Sequence, residues 1–305
     1  MNILITGSGG FVGSHLSQFL GGNGKATVFA LVHDREPNCW GGGWIHGNVT
    51  DFPRMQEVII NCEIDYIYHM AAKSIVRNCR CDPIGCFHAN VMGTAIVLEA
   101  ARQSERIKGV MVMESDKSYG DGPVPYVETQ PLHPSGVYEA SKACVSHLMS
   151  AYHKNYGLPV FSIRSANVYG PGDQNCSRLI PNTITRILRG ERPQITDGAE
   201  GFVREFIYID DACRCMEHLM GLQPWGETIN IGSGETHTVR ELVRVICELM
   251  GAEVATETWE RPKTLTEINT QYLCLDKLRH LYFDYKPTPL RLGLVKTIKW
   301  YKGEG

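Results

Sequence analysis

Short apolar segments alternate with longer amphipathic segments through the first two-thirds of the chain. The short ones read "NILIT", "TVFALV", "YIYHM", "GVMVM" and "VFSIR", which is the length and composition of buried strands. Between them, stretches such as "GSHLSQFLGG" and "TAIVLEAARQ" carry apolar residues at helical spacing. Strands that alternate with helices predict an α/β fold in which helices cover both faces of a parallel sheet.

After about Gly170 this alternation loosens. There, "GPGDQNCSRLIP" predicts a loop, "NTITRILRG" a helix and "TVRELVRVICELMG" an amphipathic helix that Thr238 caps. No repeat and no low-complexity linker separates the two parts. We therefore predict one domain over residues 1–170 and, over 171–305, a smaller lobe that packs directly on it and returns some segments to it.

Composition and charge narrow the possible partners. The 305 residues are 43% hydrophobic and 21% charged, and the net charge of −3 gives no electrostatic reason to expect nucleic acid or an anionic membrane. No apolar run is expected to reach the roughly 18 residues of a membrane span. Eleven cysteines without a preceding secretory signal favour a reduced, cytoplasmic protein.

The segment "CRCDPIGCFH" holds Cys79, Cys81, Cys86 and His88, which are ligand types for zinc. It lacks the spacing of common zinc motifs, and no second ligand pair is obvious elsewhere in the chain. Small thiols that pack around a loop and a helix start are the simpler interpretation, so we predict no metal.

A glycine turn follows the first strand directly. Gly7, Gly10 and Gly13 form G-x-x-G-x-x-G, with Phe11 and Val12 inside the motif as further predicted cofactor contacts, and a helix is predicted to follow. Glycines here let backbone N–H groups and the helix N-terminus meet a pyrophosphate. Since the motif lies between a strand and a helix, it predicts dinucleotide binding.

The second strand leaves the choice of dinucleotide open. Asp34 suits the ribose of NAD, whereas His33 and Arg35 suit the extra phosphate of NADP, and the usual acidic position falls near Val32. Other predicted cofactor contacts follow the third and fourth strands: Asn48, Val49, Ala71 and Ala72.

Two segments carry groups that suit proton transfer. Tyr138 and Lys142 form Y-x-x-x-K, so on a helix they share a face, and an ammonium beside a phenol lowers the pKa of that phenol. In "MESDKSYGDG", after the strand "GVMVM", Ser115, Asp116 and Lys117 form either a solvated turn or part of an active site.

These motifs, together with "YHMAAKS", "ANVMGT", "SANVYGPGD" and "FVREFIYIDD", resemble the extended short-chain dehydrogenase/reductase superfamily over essentially the whole chain. Within it, the chain is most similar to the NAD-dependent epimerases and dehydratases, and "SDKSYGD" resembles the CDP-glucose 4,6-dehydratase type. The resemblance implies a Rossmann-type, doubly wound parallel sheet with a smaller C-terminal α/β lobe that binds a nucleotide sugar. It also implies a homodimer formed through helices that start near Asn90 and Tyr138.

The resemblance assigns roles to the catalytic residues. Tyr138 removes the 4-hydroxyl proton, Ser115 binds the 4-keto oxygen and Lys142 orients the nicotinamide ribose. Asp116 protonates the departing 6-hydroxyl. Where other 4,6-dehydratases have Glu, this chain has Lys117, which takes the C5 proton itself or through a water that it holds, or else is an ion-pair partner or a hydrogen-bond donor to the substrate. Glu114 replaces a residue that is often small.

The same resemblance places the nucleoside diphosphate sugar against six residues: Lys73, Ser74, Asn167, Arg178, Arg204 and Arg261. A 4-epimerase or 4-ketoreductase needs Ser115, Tyr138 and Lys142 but no acid at Asp116, so Asp116 favours the dehydratase. A third alternative is a cofactor-sensing protein without catalysis, because a fold alone does not establish chemistry.

Overall fold

The computed structural model describes residues 1–22, 24, 26–33, 43–259 and 267–304. Three predicted site residues, Asp34, Arg35 and Arg261, lie outside this range. The strands are β1 Asn2–Thr6, β2 Thr27–Val32, β3 Trp44–His46, β4 Tyr66–His69, β5 Gly109–Met113, β6 Val160–Ser165, β7 Asn167–Tyr169, β8 Gln194–Thr196, β9 Val203–Tyr208, β10 Thr228–Ile231, β11 Thr236–Thr238, β12 Glu257–Trp259 and β13 Thr270–Gln271.

The helices are α1 Phe11–Gly22, α2 Phe52–Asn61, α3 Val76–Cys81, α4 Pro83–Phe87, α5 Gly93–Arg102, α6 Val137–Tyr156, α7 Leu179–Leu188, α8 Ile209–Leu222, α9 Val239–Met250, α10 Asp276–Leu281 and α11 Leu290–Tyr301. A π-helical turn, His88–Met92, joins α4 to α5, and a 3₁₀ turn, Asp116–Tyr119, follows β5.

The large sheet joins seven of the described strands in the order β3-β2-β1-β4-β5-β6-β10. All its neighbours pair in parallel. The chain first winds outward from β1 to β3, then crosses back to β4 and winds in the other direction. This is the doubly wound order, and it confirms the predicted fold class.

Each sheet face has its own core because side chains alternate along a strand. In β1, Ile3 and Ile5 belong to a cluster with Leu16 and Leu20 of α1 and with apolar residues of α8. Leu4 points the opposite way, into a cluster with residues of α2, α5 and α6. Apolar residues are therefore needed at successive positions, which explains why these strands are continuously hydrophobic.

The second part of the chain forms two smaller sheets. One has the order β11-β9-β13 with β7 also paired to β9, and the other pairs β12 with β8. Thr238 forms the predicted cap of α9, as part of a reciprocal capping box with Glu241. Although it comes after residue 170, β10 extends the large sheet beside β6. The division at residue 170 stays a prediction.

The predicted loop "GPGDQNCSRLIP" is too long, because α7 already begins at Leu179. The predicted loop ends at Pro181, which in the structure falls in the first helical turn. In the first turn, backbone N–H groups have no partner within the helix, so proline removes no helical hydrogen bond there.

The expectation about apolar runs is also wrong on length and composition. The helical stretch Pro83–Arg102 contains an 18-residue window with mean hydropathy 1.3, of which 44% is buried. Its α5 part packs against α2 and α6. A helix in the core of a globular protein passes the same test, so this is weak evidence for a membrane span.

Candidate active site

The glycine turn between β1 and α1 leaves no room for side chains at two positions. Gly7 has φ +71°, and a Cβ there would lie 2.7 Å from the backbone of Ala71 at the end of β4. A Cβ on Gly13 would lie 2.3 Å from the carbonyl oxygen of Gly7. Glycine at these positions therefore lets β1, α1 and the segment after β4 come close together.

This turn fits the pyrophosphate of a dinucleotide. Gly10 is exposed, and its N–H donates to Gly7 O at 3.0 Å, which turns the chain into α1. Phe11 and Val12 follow as the first residues of α1, where backbone N–H groups have no partner within the helix. These N–H groups, together with the helix dipole, favour an anion at this end.

The adenosine side of the predicted cofactor site is described only in part. His33 is exposed at the end of β2, and its Nε2 lies 3.3 Å from Asn48 Nδ2. Val49 is buried against Gly93, while Ala72 is half-buried beyond β4. The choice between NAD and NADP therefore stays open.

Asn90 holds the segment after β4 in place. It lies in the π-helical turn, where its amide accepts from Lys73 N at 2.7 Å and donates to Lys73 O at 3.1 Å. The same amide donates to Ser141 Oγ of α6 at 2.8 Å. This buried amide therefore joins the segment after β4 to the helix of Tyr138. π-Helical turns often occur at functional sites.

The run after β5 is a buried turn rather than a solvated one. Ser115 caps the 3₁₀ turn and donates to Asp116 Oδ1 at 3.2 Å, and both side chains are buried. Burial raises the pKa of the Asp116 carboxyl, and the charges of Lys117 and Arg204 oppose this only in part. A carboxyl in this setting favours its protonated form, which an acid needs.

Tyr138 and Lys142 lie on α6 as predicted, but our expectation about the phenol was wrong. Burial raises the pKa of Tyr138, while the Ser115 hydroxyl and the Arg178 guanidinium lower it less strongly. The Lys142 ammonium instead donates to Met113 O at 2.7 Å. Burial also lowers the pKa of Lys142 to about 8.

Lys117 contacts a residue far away in the sequence. It is half-buried, and its Nζ donates to Gln271 Oε1 of β13 at 3.2 Å. The described part of the chain contains no ion pair between Lys117 and a carboxylate within 4.0 Å. This does not favour the interpretation of Lys117 as an ion-pair partner.

Glu114 points away from Ser115 into a buried ion pair. Its Oε2 accepts from Arg164 Nε of β6 at 2.9 Å and from Ser146 Oγ of α6, while Arg164 also donates to Ser146 Oγ at 2.8 Å. The Arg164 guanidinium lies 4.6 Å from the ring centroid of Tyr119. Glu114 therefore ties the residue before Ser115 to β6 and α6 through buried contacts.

The comparisons with known proteins agree with this arrangement. The sequence model described as the NAD dependent epimerase/dehydratase family matches residues 3–232. The chain belongs to this family. This agrees with the family resemblance that the motifs indicate.

Relatives within the family include both dehydratases and epimerases. The chain is 30% identical to a dTDP-glucose 4,6-dehydratase of Mycolicibacterium smegmatis, over 99% of this chain and 93% of that protein. It is also 30% identical, over 98% of its length, to a trifunctional UDP-glucose 4,6-dehydratase of Arabidopsis thaliana, of which it spans only 47%.

Solved structures show the same mixture. A Streptomyces venezuelae dTDP-glucose 4,6-dehydratase with NAD bound superposes with a TM-score of 0.89 at 28% identity, over 99% of this chain and 97% of that one. A Thermotoga maritima UDP-glucose 4-epimerase superposes with a TM-score of 0.91 at 25% identity, over 99% of both chains.

Two of the residues predicted to bind substrate lie beside the predicted catalytic residues. Arg204 is buried on β9, close enough to Asp116 to lower the pKa of that carboxyl, and its Nη2 donates to Glu267 Oε1 at 3.0 Å. Arg178 pairs with Asp173 at 3.1 Å, and its guanidinium lies 6.0 Å from the ring centroid of Phe11.

The other predicted substrate residues are held differently. Asn167 Nδ2 donates to Glu205 O at 3.1 Å and so connects β7 to β9. Lys73 forms a 2.5 Å ion pair with Asp82 at the surface, and Ser74 is exposed. For Lys73, binding a phosphate would require this ion pair to open.

Sequence reasoning did not single out Gln271, Arg164 or Ser146. Gln271 lies 154 positions from Lys117, and neither residue type marks a known motif. Arg164 interrupts an apolar strand, and a charge at such a position is a signal that it needs a buried partner. The sequence alone does not identify that partner as Glu114.

The cysteines of "CRCDPIGCFH" do not gather further ligands. Cys79 and Cys86 are buried beside Tyr138, while Cys81 is exposed. Within residues 1–22, 24, 26–33, 43–259 and 267–304, no group of three or more His, Cys, Asp or Glu side chains has a geometry for a metal.

Proposed function

We propose that this enzyme is a nucleotide-sugar 4,6-dehydratase, which converts an NDP-hexose to an NDP-4-keto-6-deoxyhexose. The observation that carries the proposal is Asp116, a buried carboxyl with a raised pKa, in hydrogen-bond contact with Ser115. Elimination of a hydroxyl group needs an acid, whereas 4-epimerisation does not. The 4,6-dehydratases among the relatives support the same assignment.

The cofactor would be held by the turn at Gly7, Gly10 and Gly13, with Lys142 at its ribose. When bound, NAD or NADP would supply the hydride chemistry by which C4 of the sugar is oxidised and C6 is later reduced. Tyr138 would take the proton from the 4-hydroxyl group. Because burial raises the pKa of this phenol, Tyr138 needs positive charge close by before it can act as a base.

The elimination step assigns one task to each residue of the run after β5. Ser115 donates a hydrogen bond to the 4-keto oxygen, which makes the C5 proton more acidic. Lys117, in its neutral form, takes the C5 proton, and Asp116 gives a proton to the 6-oxygen, which leaves as water. The product is the 4-keto sugar with a C5–C6 double bond, ready for hydride return to C6.

For the substrate, we propose a nucleoside diphosphate sugar with its diphosphate at Arg204 and Arg178. Arginine suits this role because its guanidinium binds phosphate oxygens through two parallel hydrogen bonds. Arg204 would exchange its contact with Glu267 for the phosphate. The sugar and the phosphates would also contact the other predicted substrate residues, which are Asn167, Lys73, Ser74 and Arg261.

A homodimer and a cytoplasmic location stay predictions. In favour of the dimer, apolar side chains are exposed around the helices that start near Asn90 and Tyr138. They are Ile84 (80% exposed), Met92 (50%) and Tyr156 (59%).

The test is to incubate the protein with the CDP-, UDP-, dTDP- and GDP-linked forms of glucose and to follow the product by mass spectrometry. We expect one of them to lose water, and Asp116→Asn to abolish this loss without changing cofactor affinity. Asp121→Asn, at an exposed position after the same turn, is the control and should retain activity. An unchanged mass with a new C4 stereoisomer by NMR would instead assign a 4-epimerase.

A further inference from the structure

Gln271 lies in a setting that the hydrophobic core does not explain. It is fully buried on β13, opposite Arg204 of β9 in a parallel register. Its Oε1 accepts from Lys117 Nζ at 3.2 Å, whereas its Nε2 is buried without a hydrogen-bond partner in the described part of the chain. An apolar side chain of similar size would avoid this unpaired N–H₂ group, so packing alone does not favour glutamine.

The hydrogen bond from Lys117 explains why an amide is suited to this position. A carbonyl oxygen accepts a hydrogen bond from a lysine amine in both its charged and its neutral form. A carboxylate at the same place would strongly favour the charged form. A neutral acceptor can therefore fix the position of Lys117 without adding a charge that retains its proton.

Whether the acceptor for Lys117 is a neutral amide or a carboxylate matters because other charged groups lie around it. Asp116 precedes it in the same turn, and the surrounding elements add both signs of charge. The ionisable groups that face this cluster are Tyr126, Tyr138, Arg204, Glu205 and, through Arg204, Glu267. Burial raises the pKa of Glu205 to about 7, which shows that negative charge is unfavourable in this cluster. A further carboxylate at position 271 would add to it.

We propose that Gln271 is a positioning residue for Lys117: its amide oxygen holds the lysine amine at the catalytic turn and, being neutral, leaves it free to lose its proton. The proposal rests on the proposed function, in which Lys117 takes the C5 proton. Gln271 lies 154 positions from Lys117 in the sequence, so only the fold brings the two side chains together.

The test uses the full chain with three substitutions. Gln271→Glu adds the charge, Gln271→Met removes the hydrogen bond at similar volume, and Gln18→Glu makes the same chemical change at an exposed site on α1. Thermal melting first establishes that each variant is folded. The pH at which Lys117 becomes half-reactive is then measured by competitive acetylation with mass spectrometry, without substrate.

We expect Gln271→Glu to move this midpoint upward by about one pH unit or more, because an opposite charge favours the ammonium form. Gln271→Met should not move it upward, and Gln18→Glu should leave it unchanged. A midpoint in Gln271→Glu equal to that of the unsubstituted protein would overturn the proposal, and Gln271→Met is the second variant if Gln271→Glu does not fold.

Turnover gives the second readout, using whichever of the four glucose nucleotides loses water. In Gln271→Glu the rising limb of kcat/KM against pH, which reports the free enzyme, should move by the same amount as the acetylation midpoint. In Gln271→Met, kcat should fall about tenfold without an upward shift, as expected for a base that has lost its position. A full kcat in Gln271→Met would overturn the positioning role.

The two proposals fail in different ways. If no glucose nucleotide loses water but the acetylation midpoint shifts as expected, the dehydratase function is wrong and the positioning of Lys117 by Gln271 is supported. If water is lost and the midpoint does not move, the function is supported and the positioning role is wrong.

Discussion

The predicted cofactor turn and the proposed catalytic edge are neighbours in the structure but are built in opposite ways. The turn uses seven consecutive positions, Gly7 to Gly13, and its constraints are steric: a left-handed backbone and close contacts between main-chain atoms. The catalytic edge collects Asp116, Tyr138, Arg204 and Gln271 from four separate elements, and its constraints are electrostatic.

This difference predicts how each region fails. A side chain added to the turn should weaken cofactor binding directly, because the backbone itself forms the binding surface. A change at the catalytic edge should alter protonation and position while cofactor binding persists. The three predictions below test this separation, beginning with the largest effect.

The largest effect should come from the buried ion pair behind the edge. Arg164→Met leaves Glu114 buried without its charged partner, which costs about 3–5 kcal/mol of the free energy of unfolding. At temperatures where the variant stays folded, we expect turnover to fall and the cofactor affinity of the turn to persist. Chemical denaturation measures the stability, product formation followed by mass spectrometry measures the turnover, and cofactor titration measures the affinity.

The matched control for Arg164→Met is Arg244→Met. Arg244 forms a 3.6 Å pair with Glu248 on the exposed face of α9, with 61% of the arginine side chain accessible. Such a pair contributes less than about 1 kcal/mol. Similar losses of stability in both variants would contradict the central place of Arg164 under the catalytic edge.

An intermediate effect should come from Gly7→Ala compared with Gly198→Ala. Both glycines have φ near +70°, but a Cβ at Gly198 meets nothing within 4 Å, whereas one at Gly7 meets the backbone of Ala71. The left-handed backbone costs about 1–2 kcal/mol in each variant. Only Gly7→Ala should add a steric cost and weaken cofactor binding, as measured by calorimetric titration.

If Gly7→Ala bound the cofactor as tightly as Gly198→Ala, the turn would not be the binding surface. If both lost affinity, the backbone conformation rather than the close approach would be responsible. In either case the contrast between a steric turn and an electrostatic edge would have to be revised.

The smallest effect concerns Lys142, which belongs to both regions. Burial lowers its pKa to about 8, so the free enzyme carries this ammonium below that pH and loses it as the pH rises further. Cofactor affinity should therefore fall above about pH 8, by at most tenfold per pH unit. Titration of cofactor binding from pH 6.5 to 9.5 measures this fall.

Lys142→Met provides the baseline, with weaker cofactor binding that no longer changes over the same pH range. A pH dependence that persists in Lys142→Met would assign the titration to another group. It would also remove the reason to place Lys142 at the ribose.

The sequence by itself determined the parts that depend on local patterns. The five apolar segments became the inner strands of the parallel sheet, because fully buried strands must be apolar on both faces. The glycine spacing placed the cofactor turn, and Thr238 marked the start of α9. The predicted loop ended at Pro181, whereas in the structure this proline lies in the first turn of α7, and a local pattern does not distinguish these two positions.

Only the tertiary structure decided the chemistry of the catalytic edge. The protonation of Asp116 and Tyr138 depends on burial, and burial is a property of packing that the residue types do not state. The partner of Glu114 lies 50 positions away, and the partner of Lys117 lies 154 positions away. Electrostatic interactions act through space rather than along the chain, so they emerge only when the fold brings these residues together.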